Sequence, residues 1–147
     1  MNISGKLRSH AEVPSDLLLL DKEHFPHPWD QQQWKELNWS HHLLFSWEVD
    51  SSAIGLALLK ALPGDDTAHL YKILIHPVYQ KQQQAQAFWS NICQELKIKG
   101  LSSVYLEVAA NNRRAINFYH NCGFVLLRTV RAYYSNGEDG LMMELTL

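Results

Sequence analysis

One stretch, residues 69–87 (HLYKILIHPVYQKQQQAQA), limits what this chain can fold into more than any other. Residues 70–75 form an apolar run in which Lys72 is the only charged residue, the composition of a strand buried on both faces. Pro77 stops that strand, because proline cannot donate to a sheet ladder. A polar loop over residues 78–84 leads to Ala85, Phe88, Trp89, Ile92 and Leu96, which recur on one face of a helix. Strand, short loop and helix N-terminus bring backbone N–H groups together, an arrangement suited to an anion such as phosphate. The rest of the chain reads as walls around that place.

Before this stretch the chain alternates helical and strand periods. Residues 6–8 suggest a short first strand. Ser15, after Pro14, reads as the N-cap of a helix running through Leu17 and Leu20 toward His24. The segment 25–30, FPHPWD, is a stiff two-proline loop whose Asp30 caps a second helix, from Gln31 to about Trp39. Leu43, Phe45, Trp47 and Val49 alternate as a half-buried strand, and Ile54, Leu56 and Leu58 return as its hairpin partner across residues 50–52. Residues 63–66, PGDD, turn the chain into the central strand.

After the long helix, Lys99 and Gly100 supply a C-terminal cation and a C′ glycine. Val104, Leu106 and Val108 then face one way along a strand, while Tyr105 and Glu107 face the other. Asn111 or Asn112 caps a short helix that Gly123 closes, and residues 124–130 and 141–147 read as two last strands joined across Ser135, Asn136 and Gly137. This order predicts a mixed α/β sheet with helices on both faces.

With 147 residues, 46% of them apolar, and a formal charge of −2, the chain reads as one globular domain spanning 1–147. The absence of a basic excess argues against nucleic acid as a partner. No apolar run reaches membrane-spanning length and no signal-peptide core precedes the first helix, so a cytoplasmic protein with no membrane contact is expected. Cys93 and Cys122 are too few and too distant for a disulfide framework or a zinc knuckle, and Cys122 reads as a small buried apolar residue. His41 and His42 are neighbours on a strand and face opposite ways, so they do not chelate together, and no metal is expected.

Two polar residues stand out for chemistry. Glu107 is an acid in the middle of an apolar strand: it either reaches solvent or, if buried without a partner, has its pKa raised into the range of a general base. Tyr119 lies on the helical face with Ala115, Ile116 and Cys122, as a core tyrosine or a proton donor. His69, at the entry of the central strand, reads as a histidine satisfied by solvent or as a second candidate base.

The loop Gln80-Lys81-Gln82-Gln83-Gln84-Ala85 resembles the Gln/Arg-x-x-Gly-x-Gly/Ala pyrophosphate loop of the GNAT superfamily of N-acetyltransferases. Residues 106–124, LEVAANNRRAINFYHNCGF, are similar to the LEVRxSNxxAxxLYxxxGF segment of the RimI-like subgroup, the ribosomal-protein-alanine acetyltransferases. The ending, RAYY at 131–134 followed by EDGLMM at 138–143, resembles that subgroup's RRxYY…EDAxxM, and FPHPW at 25–29 its FPW loop with an insertion. The resemblance implies a GNAT-like fold with a mostly antiparallel sheet of about six to seven strands. It also implies acetyl-CoA as cosubstrate and an acceptor amine, most naturally the N-terminal α-amine of a protein, with a small amine as the alternative, in a monomer or weak dimer.

Position by position, the resemblance makes Glu107 the proton acceptor and Tyr119 the proton donor to the departing thiolate. Backbone groups of Ile73, Leu74 and Ile75 match the strand that pairs with the pantetheine arm. Lys81, Gln82, Gln83, Gln84, Ala85 and Gln86 match the pyrophosphate loop, and Asn112 a cofactor-contacting asparagine. Three positions depart from the pattern. Ala109 replaces the arginine after LEV, and His69 stands where many members carry an acid. Gln83 replaces a glycine; if its φ is positive, an L-residue there carries a strain of roughly 1–2 kcal/mol, enough to weaken cofactor binding about tenfold. Gln83 and Ala109 open a second reading, a GNAT-fold binding or regulatory module impaired in catalysis, against which the Glu107 and Tyr119 pair argues.

Overall fold

The computed structural model of the chain describes residues 4–147, without the side chains of residues 81 and 82. The elements run β1 (Lys6–His10), α1 (Ser15–His24), α2 (Gln31–Lys35), β2 (His42–Val49), β3 (Ser52–Lys60), β4 (Thr67–Ile75), α3 (Gln84–Ile98), β5 (Ser103–Ala109), α4 (Arg113–Asn121), β6 (Val125–Val130) and β7 (Gly140–Thr146). The strands form one seven-stranded sheet in the order β1-β2-β3-β4-β5-β7-β6. Every neighbouring pair is antiparallel except β4 and β5, which run parallel. The fold class expected from the sequence is the one observed.

The period-2 alternation of the central strands divides the core between the two faces of the sheet. Phe45, Ala57 and Leu59 join Phe88, Ile92 and Leu96 of α3, with Ala115, Ile116, Phe118 and Tyr119 of α4 packed against the same cluster. Leu44, Leu56 and Leu58 face the other way, onto Leu17 and Leu20 of α1 and Trp34 of α2. The sheet therefore has α1 and α2 on one side and α3 and α4 on the other. β2, expected to be half-buried, is buried on both sides through Leu44, Phe45, Ser46 and Trp47, because each face has its own covering helices.

Local signals hold with small shifts. Asp30 caps α2 in a reciprocal capping box with Gln33. The helix ends at Lys35, short of Trp39, because the Asn38 carbonyl collects the N–H groups of His41 and His42 and its side chain accepts from Ser40. Pro14, not Ser15, is the N-cap of α1; Ser15 is the first helical residue, and no side chain caps that end. Asn112 caps α4 through the Ala115 N–H. Gly123 then takes φ +99°, the left-handed conformation that ends the helix.

Candidate active site

β4 and β5 pair over only three residues, Thr67 with Ser103, Ala68 with Val104, and His69 with Tyr105. Beyond that rung the two strands part. On the opposite edge of β4, Leu58 pairs with Lys72 and Leu59 with Leu70, so Tyr71 is an extra residue. A bulge bends the strand that carries it, and this one falls where β4 leaves β5. From there to Ile75, β4 is held by β3 alone, and its other row of backbone groups faces the gap between the strands.

Glu107 lies two residues beyond the last rung, on the α1/α2 face, because Leu106 and Val108 occupy the α3/α4 face. Its Oε2 is 2.5 Å from Nε2 of His69, and the two side chains are 21% and 20% exposed. His69, expected as a solvent-satisfied histidine or a second base, is thus the partner of Glu107. Its ring stacks on Tyr105 with centroids 4.3 Å apart and meets Tyr71 edge-on at 4.5 Å.

The charge of the carboxylate reaches three tyrosines. Burial, then the charge of Glu107 among other neighbours, pushes the hydroxyls of Tyr71, Tyr105 and Tyr134 above the ordinary tyrosine range. Tyr133 and Tyr134 stand in the β6–β7 loop with rings perpendicular at 5.0 Å. Gly140 makes room for Tyr133, since a Cβ there would lie 2.9 Å from its ring.

Tyr119 approaches from the other side of the sheet. It packs against the α3/α4 core, edge-on to Phe124, and burial, with Cys122 and Tyr134 nearby, raises its hydroxyl to about 12. Glu107 and Tyr119 are therefore not side by side; they belong to opposite faces of the sheet.

The loop after β4 is a 3-10 turn over Pro77–Gln82, followed by Gln83 at φ 58° and ψ 17°. Gln83 is exposed and left-handed, the conformation in which glycine is the favoured residue. Gln80 braces the loop: its Nε2 donates to the Ile75 carbonyl, and its Oε1 accepts from Arg114 of α4. Gln84 turns into the core, where its Oε1 accepts from Trp47 Nε1 at 2.7 Å. Gln86 faces Cys122 across α3 and α4. The side chains of Lys81 and Gln82 lie outside the described residues. The Asn112 side chain serves as the α4 cap.

The structure also fixes the loop between α1 and α2. Lys72, on the α1/α2 face, forms a buried ion pair with Asp21 at 2.9 Å, and both side chains are about fully enclosed, at 2% and 1% exposure. Lys72 also donates to the His27 carbonyl and lies 3.9 Å from the Phe25 ring centre, while Asp21 accepts from the Trp29 N–H. Burial lowers the Lys72 pKa, and the hydrogen bond and charge of Asp21 oppose that shift. The loop is thereby tied to the central strand, with Trp29 at 6.3 Å from Tyr71. Sequence reasoning missed the Lys72–Asp21 and His69–Glu107 pairs. The signal for the first was present, a lone lysine inside an apolar run.

The acetyltransferase (GNAT) family profile matches residues 14–124. The chain is 28% identical over 150 aligned residues to the ribosomal protein bS18-alanine N-acetyltransferase of Escherichia coli, across 100% of this chain and 99% of that one. It is 30% identical over 107 residues to an N-alpha-acetyltransferase of Sulfurisphaera tokodaii, across 65% and 64% of the two chains. The fold matches the crystal structure of the ribosomal-protein-S18-alanine N-acetyltransferase from Escherichia coli with a TM-score of 0.81 and 25% identity, over 97% and 94% of the chains. A GNAT family acetyltransferase from Elizabethkingia anophelis, solved with acetyl-CoA bound, shares the fold at a TM-score of 0.73 and 18% identity, over 97% and 98%.

Proposed function

The chain belongs to the GNAT acetyltransferase family and is an N-acetyltransferase; from that premise we propose that it acetylates the N-terminal α-amine of a protein, using acetyl-CoA, Glu107 and Tyr119. The observation that carries this reading is the position of Glu107, at the parting of β4 and β5 on the face lined by the α1–α2 loop and Tyr134. The full-length likeness to a ribosomal-protein-alanine acetyltransferase supports a protein terminus as acceptor.

The residues fit the cosubstrate. Beyond His69 one edge of β4 is free of β5, and along Ile73, Leu74 and Ile75 the backbone groups that point to that edge, at alternate residues, are what an extended arm would pair with. The N-terminus of α3, with the backbone of residues 81–86 and Gln83 already left-handed, offers N–H groups to a pyrophosphate. Ala85 leaves that approach uncluttered, and Asn112 orders the neighbouring start of α4. Acetyl-CoA, when bound, supplies an activated thioester carbonyl.

The acceptor amine enters from the α1/α2 face, between the Trp29 loop and the tyrosines of the β6–β7 loop. It arrives as an ammonium, and Glu107, directly or through one water, takes the proton that makes it a nucleophile. Tyr119 faces the leaving sulfur from the α3/α4 face. At about 12 its hydroxyl stays protonated at neutral pH, and a thiol's ordinary pKa lies near 8.5. Complete transfer from Tyr119 to a thiolate therefore runs uphill, so Tyr119 works as a hydrogen-bond donor that stabilises the thiolate, and solvent completes the protonation. The domain acts as a single unit over 1–147, as a monomer or weak dimer.

An acceptor panel tests the reading. Peptides beginning with alanine, the same peptides with blocked α-amines, lysine side-chain amines and small free amines are compared with acetyl-CoA as donor. Transfer confined to free α-amines of peptides is the expected result. Transfer to small amines with none to peptides would move the acceptor class away from proteins.

A further inference from the structure

We propose that His69 is a positioning residue for Glu107, holding the carboxylate where it meets the acceptor; this rests on the reading of Glu107 as the base. An ionised carboxylate only accepts, so the hydrogen between Nε2 and Oε2 belongs to the ring. The two atoms are 2.5 Å apart, within hydrogen-bonding reach, and a carboxylate acceptor strengthens such a bond. It occupies Oε2 and leaves Oε1 to receive the proton from the amine.

The fold explains why the base needs this partner. Glu107 pairs with Met142 of β7 on one side, but on the other side β4 has departed. A glutamate at the lip of a gap has three side-chain torsions, and on the β4 side no residue lies across the strand to fix them. His69 sits on the last closed rung, opposite Tyr105, where the backbone is still held by both neighbours. Its ring is fixed twice more, stacked on Tyr105 at 19° between planes and edge-on to Tyr71 at 78°. The imidazole is therefore a rigid donor on the closed side of the seam, reaching to a flexible acceptor on the open side. The same contact accounts for histidine at a position where a solvent-facing strand residue would need no aromatic bracing.

The test compares His69→Ala, His69→Gln and Glu107→Gln with the wild type in acetyl transfer to a peptide amine, with thermal unfolding confirming that each variant is folded. Glutamine carries an N–H donor to about the place of Nε2 and does not titrate. His69→Ala should lower kcat about tenfold to a hundredfold, the cost of a misplaced catalytic group, with the KM for acetyl-CoA unchanged. His69→Gln should restore most of that loss. Wild-type turnover in His69→Ala, or no recovery in His69→Gln, overturns the proposal. Full turnover in Glu107→Gln would instead overturn the assignment of the base.

A second measurement needs no turnover. In protein labelled with 15N-histidine, the Nε2–H resonance of His69 should be protected in the wild type and shift in Glu107→Gln. An identical resonance in both proteins removes the pairing, and the proposal with it.

Discussion

At the scale of single residues, Gln83 separates two costs that the sequence ran together. The sequence predicted strain at this position and assigned it to cofactor binding. The left-handed conformation is part of the loop backbone itself, so the strain is carried by the fold and its main expression is in stability. Gln83→Gly should raise stability by up to about 1 kcal/mol, the relief of the left-handed penalty less the glycine entropy of the unfolded chain. The acetyl-CoA dissociation constant should move by less than about threefold, a few tenths of a kcal/mol. Chemical denaturation and calorimetric titration of the two proteins check both halves. A tenfold tighter complex in the variant would return the strain to the binding step.

Lys72 belongs to the same scale. The sequence showed a charge inside an apolar run, yet its partner lies 51 positions earlier in α1, and no local pattern joins the two. The pair is sealed from water, so removing one member strands the other. Lys72→Met should cost about 3–5 kcal/mol in denaturant unfolding, much of it recovered when Asp21 is also made apolar. Recovery will be incomplete, since Asp21 also holds the Trp29 N–H.

At the scale of elements, the strands and helices were legible because their periods are plain. Phe88, Trp89, Ile92 and Leu96 lie on the buried face of α3, and Val104, Leu106 and Val108 on the buried face of β5. What the sequence does not display is how strands part. The separation of β4 from β5 depends on the extra residue at Tyr71 and on pairing partners drawn from other strands. Tyr71 itself sits in an apolar run, interrupted by Lys72 alone, with no glycine or proline to mark a bulge. For the same reason no local pattern joins Glu107 to His69, 38 residues apart. Caps were readable where side chains do the capping, as at Asp30 and Asn112. Asn112→Ala should destabilise the protein by about 1 kcal/mol, and it should lower acetyl-CoA affinity only if the start of α4 shifts. Thermal unfolding and titration of that variant distinguish the two effects.

At the scale of the whole molecule, two histidines on β1 and β2 link stability to pH. Burial, the leading cause in each, lowers the pKa of His10 and His42 below the ordinary histidine value of 6.5. A histidine whose folded pKa is lowered leaves the unfolded chain holding more protons in that range, so stability rises with pH there. The contribution is complete above 6.5 and is lost as pH falls through the lower folded values. The unfolding temperature should therefore fall as pH drops below about 6.5, and less steeply in a His10→Gln, His42→Gln double variant. An equal slope in both proteins would place the acid sensitivity elsewhere.

The whole arrangement serves one purpose in this account: a base on one face of the sheet and a hydrogen-bond donor on the other, meeting through the gap between β4 and β5. Family membership and the seven-stranded fold fit many acceptors, so the chemistry of the gap carries the central claim. The most direct measurement of it is the rate of acetyl transfer to an alanine-terminated peptide, at saturating acetyl-CoA, by the wild type and by Glu107→Gln. The account predicts a fall in kcat of at least about a hundredfold, the usual contribution of a positioned base, with binding of acetyl-CoA retained. Undiminished turnover by Glu107→Gln would contradict it.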